Sequence, residues 1–152
     1  MTLIHSFEIE INAPLKVVTE LYGNHDLIPK WQGGLVRMET MPIKNGLPSY
    51  TLTFQTGRRK FKITETIIRN KLPMHYDVQY KLKGLTQIMK NSFSATDVNS
   101  TKWNSEVEFQ FKGLMSLIAR FMKSGFEQQT LGVMQSFKRF AEKTQYSVIG
   151  NQ

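Results

Sequence analysis

From Leu3 to Ile11 apolar and polar residues alternate, with His5, Phe7, Ile9 and Ile11 on one side and Ser6, Glu8 and Glu10 on the other. A period of two is the mark of a strand with one buried face. Asn12-Ala13-Pro14 then reads as a helix start, with Asn12 able to cap and the proline tolerated in the first turn. This helix is short, through Leu15, Val18 and Leu21, and Gly23-Asn24 ends it. A second short helix or turn over Asp26–Trp31 runs into Gly33-Gly34.

Six further strands follow, separated by brief turns. Leu35–Met41 is the first, and Asn45-Gly46 beyond it is a turn signal. Ser49–Thr56 sets Tyr50, Leu52 and Phe54 on one side, and Lys60–Arg69 does the same with Phe61, Ile63 and Ile67. After a turn at Asn70-Lys71-Leu72-Pro73, Met74, Tyr76, Val78, Tyr80 and Leu82 alternate with His75, Asp77, Gln79 and Lys81. Lys83-Gly84 leads into Thr86–Thr96, and a turn over Asp97–Thr101 leads into a strand with Trp103, Val107, Phe109 and Phe111 on one side. Short connections predict an antiparallel meander, and the alternation predicts one wet face and one covered face.

The cover is supplied by Gly113 to Lys143. Here Leu114, Ile118, Phe121, Met122, Val133, Phe137 and Phe140 recur mostly every three or four residues, opposite Arg120, Lys123, Glu127 and Lys138. No proline interrupts the stretch. Such a helix would run roughly 45 Å, enough to cross a seven-stranded sheet about 30–35 Å wide. Its apolar stripe drifts by roughly a quarter turn between the front and back halves. Gly125 and Gln129 point into the same face between them. Either they serve packing, or the helix bows away there and leaves a partly polar hollow.

Composition narrows the picture. The chain has 152 residues, 40% of them apolar and 11% aromatic, which suits one globular domain over 1–144 with a frayed tail over 145–152. It has no cysteine, so disulfides and thiolate metal sites are excluded, and a cytoplasmic protein is expected. No signal-peptide pattern and no run of membrane-spanning length occurs, so stable membrane insertion is not expected. The net charge is +8, yet only Arg58-Arg59-Lys60 forms a run, at a hairpin tip. Nucleic-acid binding is therefore not expected, although an anionic ligand or membrane surface would be approached more easily than a cationic one. The sequence does not address oligomeric state.

The pattern Ile9-Glu10-Ile11-Asn12-Ala13-Pro14 with Val17-Val18, then Trp31 before a glycine pair, six strands and a long last helix ending Ala141-Glu142-Lys143, resembles the START-related superfamily. Its members share the helix-grip fold with birch-pollen-allergen-like proteins and polyketide cyclase/dehydrase-type lipid-transport proteins. The resemblance implies an α+β helix-grip fold, a seven-stranded antiparallel curved sheet wrapped on a long C-terminal helix, with two short helices after strand 1. It also implies a cavity between that helix and the sheet, holding a hydrophobic or amphipathic small molecule. It does not carry a reaction, since folds of this kind host binders and enzymes alike. Alternatives are a cyclase/dehydrase-type enzyme acting on a polyketide-like substrate, or a protein-interaction module of the quinone-chaperone or co-chaperone kind.

Candidate residues follow from the strand faces. Tyr50, Tyr76, Tyr80 and Trp103 share sides with apolar residues, and buried rings with polar tips need partners. Gln87 and Asn91 alternate with Met89 and Phe93, an odd choice for a dry core. The expected wall of the cavity is these residues with Phe54, Ile63, Phe121, Met122, Gly125 and Gln129. Polar groups set among apolar walls are the makings of a ligand site, but they could equally satisfy one another. Trp31 and Tyr22 stand near the mouth, as a gate or a plug. Glu65 falls on the side of Phe61, Ile63 and Ile67, where a buried carboxylate could act as a general base. Pairing with a Lys or Arg near a strand end, or a bulge that turns it outward, are the other readings. His5, His25 and His75 lack any spacing suited to a metal, and no cofactor is implied.

Overall fold

The computed structural model describes residues 1–43 and 45–150. Seven strands are present among them: β1 Thr2–Ile11, β2 Leu35–Thr40, β3 Ser49–Thr56, β4 Arg59–Lys71, β5 His75–Leu82, β6 Leu85–Asp97 and β7 Ser100–Phe111. Between β1 and β2 lie α1, Leu15–Gly23, and a 3-10 turn, His25–Leu27, that leads into α2, Ile28–Trp31. The chain closes with α3, Leu114–Gly150. The strands form one antiparallel sheet in the order β1-β7-β6-β5-β4-β3-β2, so β2 to β7 are the expected meander and β1 completes it beside β7. Register shifts at Leu35/Arg37, Ile67/Arg69 and Ala95/Asp97 bend three of the hairpins, and α3 runs closest to β1 and β7. α1 packs on β6 and β7, and both short helices pack against α3. This is the architecture the sequence pattern implies.

Local details depart from the sequence reading in three places. Asn12 does not cap α1; its backbone N–H donates to Glu142 Oε1 at 2.9 Å, and the helix begins at Leu15 after Pro14. β5 starts at His75, leaving Met74 exposed. α3, read from the sequence as ending at Lys143, runs on to Gly150, since neither glycine nor proline interrupts the chain from Val133 to Ile149; positions 151 and 152 of the expected tail lie outside the described residues.

The two halves of α3 are held very differently. In the rear half Met134, Phe137 and Ala141 are fully buried, Ser136 Oγ donates to the Trp31 carbonyl at 2.6 Å, and Lys138 Nζ donates to the Glu10 carbonyl at 2.7 Å. Phe137 meets Tyr22, Trp31 and Trp103 edge-on at 5.1–5.5 Å. In the front half Met115, Ala119 and Phe126 pack against the second core cluster, of Leu85, Met89, Val107, Phe109 and Phe111. The start of the helix sits tightly on the β5–β6 turn. Gly84 has φ +79°, and a Cβ there would stand 2.7 Å from Met115 Cγ. With the helix turned this way, Leu114, Leu117, Ile118, Phe121 and Met122 face outward.

This asymmetry has a measurable consequence in urea unfolding. Phe137→Ala should cost about 3–5 kcal/mol, the usual loss from an emptied aromatic site in a packed core. Phe121→Ala should stay within about 0.5 kcal/mol of the parent, as for an exposed residue. Equal losses would show that the front half is packed as firmly as the rear.

Candidate functional site

A cavity of about 110 Å³ lies under the middle of α3, between the two core clusters. Its floor comes from β3 to β7, through Phe54, Phe61, Ile63, Tyr80, Leu82, Gln87, Met89 and Trp103. The roof is Gln129, Thr130 and Val133 of α3, and one end is closed by Tyr22, Trp31 and Gln32. Its size is comparable with the ~150 Å³ apolar cavity known to take up benzene. Mostly apolar walls carry a few polar groups, among them the Tyr80 hydroxyl and the amides of Gln87 and Gln129. The Trp31 indole N–H is buried without a hydrogen-bond partner among the described residues. Trp31 is thus both wall and plug, stacked on Tyr22 at 5.8 Å.

Beside the cavity stands a polar cluster built by strand register. Tyr50 pairs with Glu65, Glu65 with Tyr80, and Tyr80 with Gln87, giving one cross-strand row over β3, β4, β5 and β6. Tyr80 and Gln87 line the cavity, whereas Tyr50 lines a second hollow of about 240 Å³ with Gly23, His25, Asn70 and Tyr76. Glu65, only 2% exposed, stands in the row between them. Its carboxylate engages the Tyr80 hydroxyl and meets His25 Nε2 at 2.5 Å. The His25 ring stacks on Tyr50 with centroids 3.8 Å apart. The result is a chain of proton-bearing groups, Tyr80, Glu65 and His25, leading from the inner cavity to the outer hollow.

Of the residues expected to line a site, Phe54, Ile63, Tyr80, Gln87, Met89, Trp103 and Gln129 meet at the cavity. Tyr50 and Tyr76 line the outer hollow, and Glu65 lies between. Asn91 instead holds the core together: it accepts from Trp103 Nε1 at 2.9 Å and donates to the Tyr76 carbonyl at 3.0 Å. Phe121, Met122 and Gly125 are not in the wall; Met115, Ala119 and Phe126 face the sheet in that stretch, so the stripe containing the other three looks outward. The partner of Glu65 is neither Lys nor Arg, and the β4 bulge falls after it, at Ile67/Arg69, too late to turn it outward. Sequence spacing does not reveal His25 as that partner, because 40 residues separate the two and only the turn after α1 brings them together. No cluster of His, Cys, Asp and Glu suited to a metal occurs among the described residues.

Burial pushes the hydroxyls of Tyr22, Tyr76 and Tyr80 above the usual tyrosine value of 10.0, with the negative charge of Glu65 adding to the shift in each. In the unfolded chain the same hydroxyls ionise near 10, so above that pH the unfolded state loses protons that the folded state keeps. Stability should therefore be insensitive to these groups below about pH 9 and fall as pH rises beyond about 10. In a titration followed at 295 nm, the phenolate signal of these three should emerge only with loss of the folded circular-dichroism spectrum. Full ionisation near 10 in the folded protein would contradict the assignment.

No family model matches the sequence, and no curated protein matches it. Solved structures do. The Zhui aromatase/cyclase from Streptomyces sp. R1128 superposes with a TM-score of 0.77 at 11% identity, over 94% of this chain and 95% of that one. Norcoclaurine synthase from Thalictrum flavum gives 0.70 at 16% identity, over 95% of this chain and 96% of that one. Ara h 8.0201 gives 0.65 at 19% identity, over 91% and 98%. The chain has the helix-grip fold that these proteins share.

Proposed function

We propose that the chain binds a small amphipathic molecule whose ring-sized apolar part enters the cavity beneath α3. The observation that carries this reading is the hollow itself, which has mostly apolar walls under α3 with Tyr80, Gln87 and Gln129 among its lining residues. Apolar walls with a few placed polar groups suit a guest with a polar end and an apolar body. Gln87, Gln129 and the Tyr80 hydroxyl would supply its hydrogen bonds. At about 110 Å³ the hollow suits one aromatic or alicyclic ring, with the rest of a longer molecule reaching out past Phe61 and Leu82. Two of the similar folds are named as an aromatase/cyclase and a norcoclaurine synthase, which is in keeping with ring-bearing guests.

The row from Tyr80 through Glu65 to His25 favours a second reading, a proton-transferring enzyme of the cyclase/dehydrase type. In it the Tyr80 hydroxyl meets the bound molecule. Glu65 takes up or returns a proton through it, and His25 exchanges that proton with the outer hollow. Geometry of this kind serves enolisation or loss of water from a carbonyl-bearing ring precursor.

Both readings can be tested with 2-naphthol as the guest, followed by quenching of tryptophan fluorescence. Val133→Trp, which fills the cavity from the roof, should weaken binding about tenfold or more while the protein stays folded. Undiminished binding by this variant would remove the cavity as the site. For the enzyme reading, a substrate found by screening polyketide-like ketones should be bound by Glu65→Gln within about threefold of the parent but turned over at least about a hundredfold more slowly. Turnover that survives Glu65→Gln would rule out the relay.

A further inference from the structure

The outward stripe of α3 calls for an explanation that the cavity does not give. Leu114 is 83% exposed, Leu117 71% and Phe121 87%, with Ile118 and Met122 also open to solvent. At helical spacing these five form one continuous apolar face over about two turns. Phe61, 43% exposed, is a further apolar residue at the cavity rim. Contiguous exposed apolar surface of this kind marks a place where something docks.

The charges nearby say what docks. β3, β5 and β7 all run toward the same end of the sheet, so the β3–β4 tip, the β5–β6 tip and the start of α3 are together there. The β3–β4 hairpin brings Arg58, Arg59, Lys60 and Lys62. Lys81, Lys83 and Lys112 come from the next tip and the end of β7, and Arg120 and Lys123 stand on the front half of α3 itself. All nine are exposed, and none forms an ion pair with a described residue. No aspartate or glutamate occurs in 56–64, 78–96 or 109–126. An apolar helix face ringed by unopposed cations fits an anionic lipid surface. A second copy of the chain does not suit it, because pairing two such ends would set like charges against each other.

We propose that this end of the molecule docks on anionic bilayers, with the α3 stripe seated at the interface and the cavity rim turned toward the lipid. Binding is peripheral, since no helix among the described residues is long and apolar enough to cross a membrane. The stripe enters the headgroup region, and the cations hold it there by a force that salt screens.

Vesicle co-sedimentation tests this. The protein should pellet with vesicles containing roughly one-third phosphatidylserine in phosphatidylcholine, should be released by added salt, and should leave pure phosphatidylcholine vesicles largely free. Leu117→Ser with Phe121→Ser, both at exposed positions, should lower partitioning about tenfold or more with an unchanged circular-dichroism spectrum. Arg58→Glu with Arg59→Glu should do the same. The Leu117/Phe121 variant should still take up 2-naphthol as the parent does, so a failed docking surface and a failed cavity are told apart. Absence of binding to the anionic vesicles, equal binding to neutral ones, full retention by either variant, or a dimer that conceals Phe121 would each overturn the proposal.

Discussion

The structure depends on one aromatic contact, the seating of Tyr22 among five other rings. Its ring lies 5.1–5.8 Å from those of Trp31, Tyr76, Phe93, Trp103 and Phe137. One side chain of α1 thereby joins α2, three strands and α3. Edge-on pairs of this kind add about 0.5–1.5 kcal/mol each beyond the area they bury. The Trp103 N–H is tied to Asn91, and Asn91 to the backbone of β5, so the floor beneath the rings cannot shift without breaking hydrogen bonds. Rings locked against one another do not flow into neighbouring space. The cavity begins where this cluster ends, and α3 is pinned behind it and only lightly held ahead of it.

The polar row across the sheet cannot be explained by stability. Ile63 and Ile67 flank Glu65 on the same strand face, and an apolar residue at 65 would have continued the pattern at no desolvation cost. Burying a carboxylate costs several kcal/mol before its partners offset any of it, and replacing buried ion pairs by well-packed apolar groups is often neutral or favourable. His25 and Tyr80 supply the partners, each from a different element, and Tyr50 fixes the plane of the imidazole by stacking. The arrangement draws on four elements to satisfy one side chain, which is the observation behind the relay proposed above.

Strand faces were legible because each is set locally: alternation alone placed Tyr50, Glu65, Tyr80 and Gln87 on the covered side. Their alignment into a single row was not, since register between strands depends on turn lengths and bulges that no one strand records. The helix shows the opposite failure. Its period was plain, but an apolar stripe names a buried face only when something lies opposite. Leu114, Phe121 and Met122 have the spacing of core residues, yet the contact is made by Met115, Ala119 and Phe126, a third of a turn away. Met115 sits against Gly84, where a Cβ would stand 2.7 Å from its Cγ, a close approach that fits the observed rotation of the front half. His25 was invisible for a third reason, because its meaning lies wholly in a tertiary neighbour.

The hollow under α3 is one that the chain could have closed by itself. Val133 and Gln129 stand over it, and a bulkier apolar residue at either would fill much of it. A chain selected only to fold would be expected to take that step. In the reading proposed above the space is kept for a guest, and a guest that binds the folded state alone would add to its stability by mass action.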